Sequence, residues 1–113
     1  MKMTLIDSSK VKVENYGSIA VQELLSLQES ESMSVAIITL DGTNEKNRNN
    51  GSNMYYFIIE GEGAFIIEEK TFRVKKHNLI TIPKGTAYYD TGKMTMLSFC
   101  SPRFDASQIE YLK

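Results

Sequence analysis

The stretch Met54-Tyr55-Tyr56-Phe57-Ile58-Ile59-Glu60-Gly61-Glu62-Gly63 decides the reading of this chain. Six β-branched, aromatic or thioether residues in a row favour a strand, and alternation places Met54, Tyr56 and Ile58 on one face and Tyr55, Phe57 and Ile59 on the other. The glycines that follow predict a hairpin, because a tight connection needs positive backbone angles. Similar strand-forming runs occur at 19–24, 33–40, 63–68, 70–74, 79–82 and 94–100. Breaks separate them: Asp41-Gly42, Lys75-Lys76-His77-Asn78, where asparagine tolerates left-handed geometry, and Pro83-Lys84-Gly85, where proline cannot donate to a ladder. Seven strands without a long helix predict an all-β sandwich or barrel. Residues 21–28 can also be read as a helix, and Asp105 can cap a short helical turn over 105–111. The segment 43–53, with Asn44, Asn47, Asn49, Asn50 and Asn53, reads as an exposed loop or a ragged strand edge.

At 113 residues the chain has room for one domain, with 1–30 as N-terminal strands or an arm and 33–104 as the barrel core. Thirteen Lys plus Arg balance fourteen Asp plus Glu, so no broad basic field draws the chain to nucleic acid or anionic lipid. No stretch approaches the ~20 apolar residues of a membrane span, and the first residues lack the apolar run of a leader, so a cytoplasmic protein is expected. Cys100 is the single cysteine and His77 the single histidine, which excludes an intrachain disulfide and any site needing two imidazoles.

The order of turns and strands resembles the cupin family, whose small barrels belong to the double-stranded β-helix (jelly-roll) class. The likeness covers about residues 33–104. The family's first motif is a glycine, five residues, His-x-His, three or four residues, a glutamate, six residues and a glycine; Gly42 and Gly61 occupy the glycine positions with the three-residue spacing. Its second motif contains Pro-x-Gly, matched by Pro83-Lys84-Gly85, and Ser101-Pro102 resembles the family's common ending. The resemblance implies metal ligands where this chain has Arg48, Asn50, Met54 and Tyr88; with the four-residue spacing Asn47 and Asn49 replace the two histidines. Amide, thioether and phenol are poor donors for Mn, Fe, Ni or Zn, and an inward Arg48 would repel a divalent ion by well over ~4 kcal/mol at ~4 Å. No metal and no other cofactor is expected.

The resemblance also implies that Met54, Tyr56, Tyr88 and Asp90 look into the barrel. They would then form either a pocket with an apolar wall, two phenols and a carboxylate, or a barrel filled by its own side chains. Arg48 and Asn50 are candidates to hold a ligand's carboxylate or phosphate, or are solvated. Tyr88 and Asp90 are the candidates for acid–base chemistry. His77 reads as an exposed turn residue and Cys100 as a buried small hydrophobe. Three functions remain open: a metal-independent protein binding a small polar or anionic metabolite of the sugar or organic-acid class, a metal-free isomerase, epimerase or lyase, and a non-catalytic scaffold resembling the histidine-poor cupin of ethanolamine utilisation. A homodimer is expected, built on the apolar segment 11–27.

Overall fold

A computed structural model of the chain describes residues 3–25 and 29–112. The strands are β1 (Glu14–Tyr16), β2 (Ile19–Glu23), β3 (Ser34–Thr43), β4 (Asn47–Asn49), β5 (Asn53–Ile67), β6 (Lys70–Lys75), β7 (Leu79–Ile82), β8 (Ala87–Ser101) and β9 (Ile109–Tyr111). Every pairing is antiparallel. One path runs β1-β2-β3-β8-β4-β9, and β5 adds to β8 while carrying β6 and β7 on its other edge. Among the described residues no helix is long and apolar enough to cross a membrane.

The sheet is built on two 15-residue strands, β5 and β8, paired along nearly their whole length. The expected hairpin at Glu60-Gly61-Glu62-Gly63 does not form. The chain continues straight through as one strand, and a bulge at Ile59 shifts the register, with Ile58 opposite Met96 and Glu60 opposite Thr95. One extra residue flips every later side chain to the other face. Before the bulge Met54, Tyr56 and Ile58 are buried; after it the inward positions are odd-numbered, and Phe65 is wholly buried opposite Asp90. The turn at Lys75–Asn78 docks on this bulge: His77 N donates to Ile58 O and Ile58 N to Asn78 O, both at 2.9 Å. His77, exposed, takes the positive φ (80°), while the Asn78 side chain accepts from Lys75 N at 2.9 Å.

Asp41-Gly42 is likewise not a break, since β3 runs through it to pair Gly42 with Gly92 and Thr43 with Thr91. Gly92 also faces Gly63, so three glycines lie in one row across β3, β8 and β5. A Cβ on Gly92 would sit 2.6 Å from Gly63 Cα and 2.7 Å from Glu62 O. At this line β5 and β8 approach too closely for side chains, while Gly42 on β3 is required by its φ of 120° rather than by lack of space, and the sheet can bend there. On either side alternation is strict, and Leu40, Ile58, Phe65, Ile82, Met94 and Met96 form the core.

Elsewhere the sequence reading needs smaller corrections. Residues 43–53 hold β4, whose Asn47 and Asn49 are buried rather than exposed. The helix over 105–111 reduces to one 3-10 turn, Ala106–Gln108, capped as expected by Asp105 accepting from Ser107 N, and then to β9. Of the helical alternative at 21–28, residues 21–23 belong to β2 and residues 26–28 lie outside the described residues. Arg103 ties down the segment flanking them: its guanidinium reaches Glu23 Oε1 at 2.6 Å and the carbonyls of Leu25, Ser30 and Met33 at 2.9–3.3 Å.

Gly92→Ala should therefore cost about 3–5 kcal/mol, combining a strained φ with an overpacked strand crossing. Gly17→Ala, whose Cβ would meet nothing within 4 Å, should cost only about 1–2 kcal/mol for its left-handed φ. Urea unfolding of both variants checks the ranking; equal losses would contradict it.

Candidate functional site

The inner face is laid out by register. In an antiparallel sheet directly opposed residues project to the same side. The row Tyr111–Asn47–Tyr88–Ile67 runs across β9, β4, β8 and β5, and the row Glu23–Ala36–Ser98–Tyr56–Ile80 across β2, β3, β8, β5 and β7. Between them lies a cavity of about 250 Å³. This is just under the ~300–1,000 Å³ usual for ligand pockets, and enough for one small metabolite. The space between Met54 and Tyr88 is thus not filled by side chains.

Met54, Tyr56, Tyr88 and Asp90 all line this cavity, as the alternation of β5 and β8 requires. Arg48 and Asn50 do not. Arg48 lies between Ala87 and Glu110 in the outward row, where its Nη1 pairs with Glu110 Oε1 at 3.3 Å, and Asn50 Nδ2 donates to the same oxygen at 3.3 Å. Asn47 and Asn49 take the inward positions. The four-residue spacing of the family motif is the one the fold uses, and one residue of register separates the two readings. Asn44, Ser98 and Glu23 also line the cavity and were not singled out from the sequence; nothing short of strand pairing would have found them.

Most polar groups of the cavity are already engaged. Asn49 Oδ1 accepts from Gly51 N and Ser52 N at 2.9 Å each, and its Nδ2 donates to Met54 Sδ at 3.3 Å, so this amide shapes the β4–β5 connection. Cys100 Sγ donates to the same sulfur at 3.3 Å, and burial pushes the thiol up to about 11, which keeps it protonated and poorly nucleophilic. The hydroxyls of Tyr56 and Tyr88 meet at 2.5 Å, and both rings pack against Phe65 at centroid distances of 5.1 and 6.3 Å. Burial raises both phenols well above their ordinary range, so both stay protonated at neutral pH. Two hydroxyls sharing one hydrogen bond leave one proton free to donate.

Asp90 is the exception. The residue is 3% exposed; Asn44's amide and its own backbone N–H hydrogen-bond the carboxyl, but Oδ1 has no partner. Burial pushes it up to about 6, partly offset by Asn44. Among the described residues no Lys, Arg or His lines the cavity, and the carboxylates that do are Asp90 and, on β2, Glu23, which is held by Arg103. The four positions that hold metal in the resembled family are here Asn47, Asn49, Met54 and Tyr88. Two amides, a thioether and a protonated phenol do not fit a divalent first-row ion, and among the described residues no cluster of three His, Cys, Asp or Glu offers another site.

No family model matches the sequence, and no curated protein matches it. Among solved structures the chain is similar to Streptomyces Pac13, a nucleoside dehydratase, at TM-score 0.90 and 18% identity over 99% of this chain and 92% of that one. Single-residue variants of that protein, including tyrosine-to-phenylalanine changes, have been solved with uridine. KdgF from Halomonas sp. matches at TM-score 0.83 and 11% identity, covering 94% of this chain and 99% of that one. Ectoine synthase from P. lautus matches at TM-score 0.83 and 13% identity, covering 98% and 91%. With the strand order above, these likenesses establish a cupin fold.

The buried Asp90 has a thermodynamic signature. Its folded pKa of about 6 lies above the ordinary 3.8, so between these values the native state binds more protons than the unfolded chain, and its contribution to stability falls as pH rises through that window. The full loss is on the order of 3 kcal/mol. Asp90→Asn should be more stable than the parent at pH 7.5 by a sizeable part of that amount, with the gap closing toward pH 4. Denaturant titrations at both pH values read this directly, and an unchanged gap would contradict it.

Proposed function

We propose that this cupin-fold barrel binds a small uncharged metabolite of the sugar or nucleoside class, with Asp90 as its anchor and proton-exchanging group. The observation that carries the reading is the unpartnered, buried Asp90 Oδ1 on a cavity whose described lining residues include no cation. A buried polar atom left unpaired costs about 1–3 kcal/mol, and a ligand hydroxyl or N–H would recover that cost on binding. An anionic ligand would instead face the Asp90 carboxylate, at about 4 kcal/mol for a separation of ~4 Å in an effective dielectric of 20. With Arg48 turned outward, the structure supports the neutral branch of the expected ligand class over the anionic one. The uridine held by Streptomyces Pac13 favours the same branch.

The chemistry available is proton transfer. Asp90, titrating near neutrality, is poised to take a proton from an acidic C–H or O–H of the ligand, and the spare proton of the Tyr56–Tyr88 pair can go to a ligand oxygen. A base and a phenolic acid on one cavity suit a lyase or isomerase acting without metal. The test is a thermal-shift and NMR panel of uridine, pentoses and hexoses beside their phosphates. Neutral members should stabilise the protein, by about 2.7 kcal/mol at 100 times Kd, and the effect should vanish in Asp90→Ala. Stabilisation by phosphates alone would overturn the reading.

A second copy of the chain belongs to this proposal, on another face than the expected segment 11–27, whose Ile19 and Val21 line the cavity instead. The outward face of β3, β5, β7 and β8 carries Val35, Ile37, Phe57, Leu79, Leu97 and Phe99, none of them buried, where a solvated face would be polar. Light scattering should give twice 12.8 kDa at micromolar concentration and 12.8 kDa for Phe57→Glu with Leu79→Glu. A monomeric parent would remove the dimer.

A further inference from the structure

The two ends of the sheet meet at the cavity. β1 and β9 stand first and last in the strand path, yet Tyr16 of β1 and Tyr111 of β9 line the same space. Register explains their direction: Tyr16 lies opposite Ile19 and Tyr111 opposite Asn47, both inward positions. They nevertheless remain 58% and 66% exposed, and Phe104, a third ring of the lining, 46%. The deeper rings, Tyr56, Phe65 and Tyr88, pack on one another; among the described residues no ring contact involves Tyr16, Phe104 or Tyr111. The Tyr16 hydroxyl is held by Glu14 Oε2 at 2.5 Å, which fixes the tip and leaves the ring faces open.

The cavity therefore has two chemically distinct zones. Its floor offers hydrogen bonds to hydroxyls through Asp90 and the paired phenols. Its mouth offers aromatic faces from both edges of the sheet. Polar rings such as these recover their exposed apolar area by stacking on a planar group, and stacking needs no charge. We propose that Tyr16 and Tyr111 form an aromatic clamp, closed from opposite ends of the sheet, for a planar ring carried by the ligand whose hydroxylated part reaches Asp90. This rests on the neutral-metabolite reading and deepens it: the ligand is bipartite, a ring joined to a small polyol, and the clamp distinguishes it from a bare sugar. Binding also joins β1 to β9 through the ligand, so the two terminal strands gain protection together.

Calorimetric or NMR titration with uridine and with ribose, on the parent, Tyr16→Ala, Tyr111→Ala and the two Tyr→Phe variants, tests the clamp. Uridine should bind more tightly than ribose. Each alanine variant should weaken uridine by about 5- to 100-fold while leaving ribose unchanged, and each phenylalanine variant should stay close to the parent because the ring is kept. Amide exchange at residues 14–16 and 109–111 should slow with uridine and not with ribose. Ribose binding as tightly as uridine, or alanine variants weakening both equally, would overturn the clamp while leaving the neutral-metabolite reading in place. Failure of the parent to bind either compound, or any neutral member of the panel, would overturn that reading and the clamp with it.

Discussion

The row of glycines Gly42, Gly92 and Gly63 is the constraint on which this barrel depends. β3, β5 and β8 are too long to serve a flat sheet of this size, and each must cross the same line of curvature. Gly42 and Gly92 hold φ angles of 120° and 131°, which side chains rarely adopt, and Gly63 leaves no room for a Cβ beside Thr91 O. The Ile59 bulge does the complementary work by switching the inward parity of β5. Together they let one strand supply Tyr56 before the bulge and Phe65 after it to a single inner face.

That geometry determines the site's chemistry. Asp90 lies two residues from Gly92 and opposite Phe65, so the bend places a carboxylate against an aromatic wall with little water to solvate it. A side chain selected for stability alone would be apolar here or fully paired. Tyr56 and Tyr88 show the contrast, since each hydroxyl has the other as a partner. Stability given up at one unpartnered carboxylate oxygen, on a cavity that remains open, is the pattern expected of a site that takes a partner not supplied by the chain.

Much of this was legible in the sequence. The strict alternation of residues 54–58 separated the two faces, the cupin resemblance picked the inward one correctly, and Pro83-Lys84-Gly85 ended β7 where proline must. Glycine was the ambiguous letter: Gly61 marks a close backbone approach and Gly42 a positive φ, both within continuous strands, and the same residue type equally marks a turn. The extension of β8 back to Ala87 was not legible because the residues before the bend, Tyr88-Tyr89-Asp90-Thr91, are two aromatics followed by two polar residues and carry no continuous apolar run. The asparagine-rich segment could not be phased by composition. Only pairing with β8 and β9 decides that Asn47 and Asn49 face in and Arg48 faces out. The contribution of Tyr16 and Tyr111 depends on the two ends of the sheet meeting, a relation 95 residues apart in the chain that no local pattern encodes.

The most direct test of the central claim is a carbon-13 NMR titration of the Asp90 side-chain carboxyl, with and without a bound neutral ligand such as uridine. The account predicts a midpoint near 6 in the free protein and a clear displacement of that midpoint on binding. A midpoint at or below the ordinary 3.8, insensitive to every neutral compound, would mean a solvated or already satisfied carboxylate and would contradict it.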